Sequence, residues 1–340
     1  MSALIGKIRR SVSPTAKTLL IRSGACGALR RAVPNRDLAI LRYHAICAPN
    51  AGYASADICV SPAAFERHVA YLAANYNVVP LPEAVKALRG GSSLGPNTVA
   101  ITFDDGYEDN LAAARVLNKY GATATFYITA GCIGEGQPFW PAELRYVVAA
   151  LRGRTVELSV NGQNVVIPVG TQAEKHAAVG RLTKIFKSVR IPVREELRAT
   201  LRGMAPGARM PRVMLTWDEV REMAALGMTI GAHTVTHPNL PSAGADAAAE
   251  IADARRILES QIGAPVTMFS YPNGGAERYF TPEIQQLVRD AGFEAATTSR
   301  NGFATRASDP FALERVQVSE RLEDVAFRLE VERFAFRPRR

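Results

Sequence analysis

The chain has few of the features that assign a protein to a class at first sight. None of its 340 residues falls in an apolar run approaching the ~18 residues of a membrane-spanning helix, so no transmembrane segment is predicted. The four cysteines, Cys26, Cys47, Cys59 and Cys132, show no C-x-x-C spacing of the kind that binds metal. Because a chain of this length does not need disulfide bonds to fold, we interpret all four as free thiols in a reducing compartment.

An apolar secretory leader is also missing. Lys7, Arg9 and Arg10 interrupt the first apolar residues, and Ser11–Pro14 interrupts them again. The sequence therefore predicts a location inside the cell, in the cytoplasm or at the inner membrane surface.

Acidic residues are absent from the first 36 positions, which contain eight Lys or Arg side chains. We interpret residues 1–36 as a basic arm, and residues 331–340, which end in Arg337-Pro338-Arg339-Arg340, as a basic tail. Residues 15–33 alternate basic and apolar positions as a helix would, and this helix could lie on an anionic membrane surface or pack on the protein. No nucleic-acid-binding motif is present, so we expect no nucleic-acid partner.

The composition is ordinary for a soluble α/β protein, with 47% hydrophobic and 21% charged residues and a net charge of +9. Strand-like and helix-like segments alternate from Leu38–Tyr43 to Ala295–Thr298, which predicts a parallel sheet with helical crossovers. Six or seven such units favour a closed barrel over an open sheet. The alternation stops over residues 134–212, which we interpret as an insertion built from a hairpin around Asn161-Gly162 and two charged helices.

Histidine is scarce, with five in the chain, yet His233 and His237 lie four residues apart. On a helical turn this spacing places both imidazoles on one side, and neutral imidazole is a common ligand for divalent metals. Asp104 and Asp105 follow another strand-like run, Val99–Phe103. Two imidazoles and one carboxylate leave coordination positions open for water and substrate, as a catalytic metal site requires. The alternative is a pair of capping or buried histidines.

The two adjacent carboxylates predict two different roles. Neighbouring residues on a strand point to opposite faces, so one Asp could bind metal while the other faces the water bound to it. A metal lowers the pKa of bound water to ~7, which brings that water within reach of a carboxylate base. Gly106 would allow a sharp turn after the pair.

Two short runs occur in this order along the chain: Thr102-Phe103-Asp104-Asp105-Gly106-Tyr107 and Gly231-Ala232-His233-Thr234-Val235-Thr236-His237-Pro238. Together they resemble two motifs of the NodB-homology polysaccharide deacetylases. Phe269-Ser270-Tyr271-Pro272-Asn273-Gly274 is similar to a third motif, in the form found in exopolysaccharide-type members. The resemblance covers residues 37–320 and matches least over 134–212; we expect the catalytic domain to occupy 37–330.

This resemblance implies a distorted (β/α) barrel of about seven strands. It also implies that Asp104 is the general base and that Asp105, His233 and His237 bind one divalent metal. Zinc fits that ligand set best, although Co, Ni, Mn or Fe would fit too. The backbone N–H of Tyr271 is implied to stabilise the oxyanion.

The sequence departs from the family pattern in two places. The Arg that usually pairs with the base is missing from its motif; Arg315 could replace it from a later strand, although a surface Arg on an edge strand is the favoured interpretation. No His follows His237, where the family places its general acid. His44 is the best substitute, because Tyr43-His44 resembles poly-N-acetylglucosamine deacetylases and the first and last strands of a barrel are neighbours. The alternative is that His44 only packs or forms a hydrogen bond.

Three further residues are candidates for a role at the site. His68 and His176 are predicted to lie on surface helices and to be uninvolved. Trp140 could stack on a sugar ring, but core packing is the favoured interpretation.

The predicted function is that of a metal-dependent hydrolase that removes acetyl groups from N-acetylated sugars of a polysaccharide or glycolipid precursor, as in exopolysaccharide assembly. Two alternatives remain at this stage. The same site could be an O-acetyl esterase, or the chain could be a catalytically weak carbohydrate-binding protein on the same fold. The missing C-terminal His favours the binding protein, whereas the intact Asp-Asp and His-His pairs disfavour it.

Overall fold

The computed structural model describes residues 12–90 and 94–336 of the chain. Its ten strands are β1 Ala39–Tyr43, β2 Asn77–Val78, β3 Thr98–Phe103, β4 Thr125–Ile128, β5 Thr155–Val160, β6 Gln163–Pro168, β7 Thr229–Ala232, β8 Met268–Ser270, β9 Ala295–Asn301 and β10 Leu313–Gln317. Seven of these, in the order β1-β10-β9-β8-β7-β4-β3, form a parallel sheet that closes because β1 also pairs with β3. The short strand β2 pairs with the first two residues of β3, Thr98 and Val99. The predicted α/β barrel is confirmed, and β1 and β10 are neighbours in it.

Helices surround the barrel. They span Pro14–Arg22, Ala25–Ala32, Pro62–Asn75, Leu81–Arg89, Asn110–Lys119, Trp140–Ala150, Gln172–Ser188, Ile191–Met204, Trp217–Ala225, Leu240–Ala243, Ala247–Ile262, Pro282–Asp290, Leu322–Phe327 and Arg333–Phe336, with a π-helical stretch at Arg328–Glu332. Short 3-10 turns lie at Ala56–Ile58, Ala130–Cys132, Gly244–Asp246 and Glu277–Tyr279. No described helix combines the length and apolar character needed to cross a membrane.

Alternation along the strands divides the core into two layers. In β1, Ile40 belongs to a cluster inside the barrel, whereas Leu41 and Tyr43 belong to the larger cluster between the strands and the helices. Because successive side chains on a strand point to opposite faces, Arg42 shares the inward face with Ile40. The Arg42 guanidinium therefore lies inside the barrel, near the carboxyl end of β1 and two residues before His44.

Residues 134–212 form a hairpin and three helices that share a hydrophobic core of their own. The hairpin β5–β6 pairs Val160 with Gln163 across Asn161-Gly162, both with positive φ as a tight two-residue turn requires. Helices Gln172–Ser188 and Ile191–Met204 follow, and helix Trp140–Ala150, which was not predicted, precedes the hairpin. Leu144, Leu158 and Leu182 are buried in a cluster shared by these elements. The insertion is therefore a small layer beside the barrel mouth.

The described part of the basic arm packs on the C-terminal segment. Lys17 forms an ion pair with Asp324 at 2.8 Å, and Arg30 forms one with Glu330 at 3.1 Å. Both basic side chains are largely buried. The helix of the arm thus packs on the protein, one of the two outcomes expected; membrane contact remains a prediction. Lys7, Arg9, Arg10 and the terminal Arg337-Pro338-Arg339-Arg340 lie outside the described residues.

Candidate active site

A cleft with a volume of about 410 Å³ opens at the carboxyl ends of the barrel strands. The polar residues proposed from the sequence meet there because loops that follow parallel strands converge at one end of a barrel. Its lining includes all six predicted site residues: His44, Asp104, Asp105, His233, His237 and Tyr271.

Asp105, His233 and His237 form a buried group whose ligand atoms lie within 4.8 Å of one another. The Asp105 Oδ1 atom is 3.4 Å from His233 Nε2 and 3.3 Å from His237 Nε2. The Nδ1 atom of His233 lies 2.7 Å from the carbonyl oxygen of Ser270, so Nδ1 carries the proton and donates it. In neutral His233, the Nε2 lone pair then faces a carboxylate oxygen with no proton between them. A divalent metal between these atoms would satisfy both, and two imidazoles with one carboxylate form a donor set that fits such a metal.

The loop that carries the two histidines is a strained turn and not a helix. Thr234 and His237 have φ values of 66° and 56°, which are uncommon for non-glycine residues and costly for a β-branched one. The interpretation of His233 and His237 as neighbours on a helical turn was therefore wrong, although both imidazoles do face Asp105. The buried Glu250 stabilises this loop by accepting from the N–H groups of Val235 and Thr236 at 2.9 and 2.8 Å.

Asp104 and Asp105 diverge because the chain turns after β3 ends at Phe103. Asp105 and Gly106 have φ values of 82° and 92°, so the separation of the two carboxylates comes from this turn and not from strand alternation. Gly106 supplies the sharp turn expected of it. The two carboxylates consequently lie in different surroundings, as predicted.

Arg315 on β10 forms a two-pronged ion pair with Asp104. Its Nη1 and Nη2 atoms donate to Oδ1 and Oδ2 of Asp104, each at 2.7 Å, and its Nε donates to the carbonyl of Thr298 at 2.7 Å. The side chain is 1% exposed. The favoured interpretation of Arg315 as a surface residue was wrong: β10 closes the barrel beside β1, and its inward-facing Arg replaces the one missing from the third motif.

The electrostatics keep both carboxylates ionised. Burial alone would raise the pKa of Asp104, but the charge and hydrogen bonds of Arg315 outweigh it and hold that pKa well below its usual range. Burial likewise opposes the charge on Asp105, and the two imidazoles reverse its effect, so that its pKa is also low. Asp104 is therefore an anion at any pH near neutrality.

His44 lies beside Asp104, with its Nε2 atom 3.6 Å from Asp104 Oδ2. Burial lowers the pKa of His44 to about 4, despite the opposing charges of Asp104 and Asp105. The Nδ2 group of Asn110 donates to the His44 carbonyl at 2.9 Å and holds the backbone of this residue in place. His44 thus faces the cleft as a neutral imidazole next to the anion that is proposed as the base.

Tyr271 is buried at the cleft wall. Its hydroxyl donates to the carbonyl of Phe311 at 2.9 Å, and its backbone N–H donates to the carbonyl of Thr297 at 3.2 Å. A role for this N–H in oxyanion binding remains a prediction, and it requires the bond to Thr297 to be shared or broken when substrate binds.

Trp140 is a core residue, as favoured from the sequence, and stacking on a sugar ring stays a prediction. It is 2% exposed and belongs to the core of the insertion, yet it also lines the cleft and donates from Nε1 to the carbonyl of His237 at 3.0 Å. Phe139 packs edge-on against His237 at 5.3 Å between ring centroids. These two aromatics connect the insertion to the histidine loop.

Of the two histidines predicted to be on the surface, only His176 is exposed. His68 is fully buried, because the face of its helix that packs on the barrel carries it to 3.2 Å from the Tyr43 hydroxyl. Sequence reasoning missed Glu250, which no motif marks, and Ser270, which lies within a motif but acts through its carbonyl.

The mouth of the seven-stranded α/β barrel thus holds a buried triad of the kind that binds metal, next to an ion-paired carboxylate. This combination is typical of a class of hydrolases, and comparisons with known proteins give the name of that class. Residues 91–296 match the model of the polysaccharide deacetylase family, and the chain belongs to that family. YxkH of Bacillus subtilis, a protein named as a polysaccharide deacetylase, is 25% identical over 85% of this chain and 74% of its own length.

Two solved structures share the fold. The Streptococcus pyogenes deacetylase PplD, solved in complex with acetate, is 19% identical and superposes with a TM-score of 0.58 over 90% of this chain and 100% of its own. IcaB from Ammonifex degensii is 19% identical with a TM-score of 0.58, over 88% of this chain and 99% of its own. The barrel is therefore of the type predicted from the sequence.

Proposed function

We propose that this polysaccharide deacetylase is metal-dependent and hydrolyses the N-acetyl groups of an acetylated glycan or glycolipid. The observation that carries the proposal is the triad of Asp105, His233 and His237, in which the Nε2 lone pair of His233 faces a carboxylate oxygen. A divalent metal held by these three residues would lower the pKa of water and polarise the acetyl carbonyl.

The remaining roles belong to side chains of this chain. Asp104, kept anionic and fixed in orientation by Arg315, takes the proton of the attacking water. His44, 3.6 Å from Asp104, is placed to hand a proton to the departing amine. Because burial keeps His44 neutral at rest, we infer that the proton it delivers is the one that Asp104 has taken. The products are acetate and an amino sugar.

The proposal is tested by measuring acetate released from N-acetylglucosamine oligomers, with O-acetylated glycans assayed in parallel. We expect turnover on the N-acetylated oligomers, loss of activity after chelation, and recovery on adding Zn²⁺ or another divalent metal. Release only from O-acetylated glycans would make the chain an esterase. Glycan binding with no acetate from any substrate, in protein with one metal bound, would identify a binding protein.

His44→Ala is expected to reduce acetate release from N-acetylated oligomers by about 10²- to 10⁴-fold, the usual contribution of a general acid. Its effect on p-nitrophenyl acetate should be only a few-fold, because that leaving group departs without a proton. The exposed His176 supplies the matched control, and His176→Ala should leave both rates unchanged. Equal losses on the amide and on the activated ester would assign His44 a structural role instead.

A further inference from the structure

Three cationic side chains in the cleft wall have no partner within the part of the chain that the structure describes. No hydrogen bond or ion pair there engages the side chains of Arg42, Arg145 and Lys187. Arg42 is 9% exposed, and its Nε is buried with no hydrogen-bond partner. By contrast, Arg315 in the same barrel is saturated by Asp104. A buried cation without a paired anion costs free energy, so an anion that binds beside Arg42 would stabilise the protein.

Among the described residues, the charge of Asp104 acts on Arg42 and that of Asp105 on Lys187, but neither carboxylate forms a hydrogen bond or ion pair with these cations. Asp104 is paired with Arg315, and Asp105 faces the two histidines of the triad. Asp57, at the rim, is exposed and accepts a hydrogen bond from Ser55. Although burial and the like charge of Arg315 lower the pKa of Arg42 to about 10, Arg42 remains a cation at neutral pH.

The cations come from two parts of the fold, the barrel and the insertion. Arg42 is on β1, two residues before His44. Lys187 belongs to the insertion helix Gln172–Ser188, and its carbonyl accepts from Asn239, two residues beyond His237. Arg145 comes from the other insertion helix that lines the cleft, Trp140–Ala150. Any metal in the triad would add to this positive charge.

We propose that the glycan is anionic, and that a carboxylate or phosphate on the acetylated sugar or its neighbour binds the cations of the cleft wall, Arg42, Lys187 and Arg145. The proposal rests on the deacetylase function proposed above and specifies its substrate. The insertion then determines specificity, because it supplies two of the three cations. Asn273 adds an unpartnered donor to the same cleft, its buried Nδ2.

Selectivity is measured by comparing kcat/KM for three N-acetylated substrates: the neutral N,N′-diacetylchitobiose, a disaccharide of glucuronic acid and N-acetylglucosamine, and N-acetylglucosamine 1-phosphate. We expect an anionic substrate to be preferred by about tenfold or more, with the preference falling as salt is added. The better of the two anionic substrates identifies the carboxylate or the phosphate. Lys187→Gln should reduce the preference by about tenfold, whereas Lys184→Gln, exposed on the same helix, should not.

Thermal unfolding provides a readout that does not depend on activity. Removing an unpaired buried cation should raise the unfolding temperature of Arg42→Met above that of the wild type. The anionic sugars should stabilise the wild type more than they stabilise Arg42→Met. An unfolding temperature that does not rise would contradict the assignment of Arg42 as an unpaired cation.

Two results would overturn the proposal while leaving the deacetylase function intact. One is equal kcat/KM for neutral and anionic substrates, with acetate still released from both. The other is equal stabilisation of the wild type by inorganic phosphate or acetate alone, which would show a general anion site or a product site. Conversely, selective stabilisation by anionic sugars without acetate release would contradict only the enzymatic function.

Discussion

Asp104→Asn should reduce acetate release by about 10²- to 10⁴-fold while the protein still binds its metal. The amide keeps the shape of the carboxylate but cannot take a proton from water. Asp105, His233 and His237 are untouched by this change, so elemental analysis should find the same metal content as in the wild type. Asp105→Asn is the matched variant one residue along, and it should lose metal and activity together.

Stability is expected to fall in Asp104→Asn as well, since Arg315 is left buried without its counter-charge. The double variant Asp104→Asn with Arg315→Met removes both charges and should recover part of the lost stability without recovering activity. Activity that survives in Asp104→Asn, with metal bound, would show that another group takes the proton.

The sequence was sufficient for the barrel and for the metal-type triad, because both leave local signals. Apolar strand segments alternate with helical ones, and His233, His237 and Asp105 each follow such a strand. The carboxyl ends of parallel strands lie at the same end of a barrel, so the topology alone brings these residues together. The predicted geometry was less accurate: the histidines lie on an irregular loop in which Thr234 and His237 have positive φ. Glu250, on the helix that follows, accepts hydrogen bonds from this loop, and no sequence motif marks it.

Arg315 could not be assigned from the sequence because its environment depends on how the barrel closes. A run such as Leu313–Gln317 is equally compatible with an exposed edge strand and with a strand buried between two others. Pairing of Leu41 with Val316 places β10 beside β1 and directs Arg315 into the interior. His68 illustrates the same limit, since a helical pattern does not show which face meets the barrel.

Arg315→Met is expected to cost about 3–5 kcal/mol of stability, because it leaves Asp104 as an uncompensated charge in the barrel. It should also shift the pH dependence of catalysis. In the wild type the pKa of Asp104 is depressed, so the base stays ionised and its ion pair contributes stability above the usual Asp pKa of ~3.9, losing it as pH falls. Without Arg315, the strongest influence that opposes burial is gone, so the pKa of Asp104 rises above its wild-type value. The acid limb of kcat/KM should then move to higher pH.

Arg30→Met is the matched control for this change. Arg30 is also buried and paired with a carboxylate, Glu330, but it lies where the N-terminal and C-terminal helices meet, away from the cleft. Both variants should unfold at lower temperature than the wild type, and only Arg315→Met should move the pH profile. If both variants lost stability and neither profile shifted, Arg315 would be a structural residue that happens to touch the base. A shift confined to Arg315→Met would instead establish that the last strand of the barrel, beyond the residues matched by the family, sets the protonation of Asp104, the proposed base.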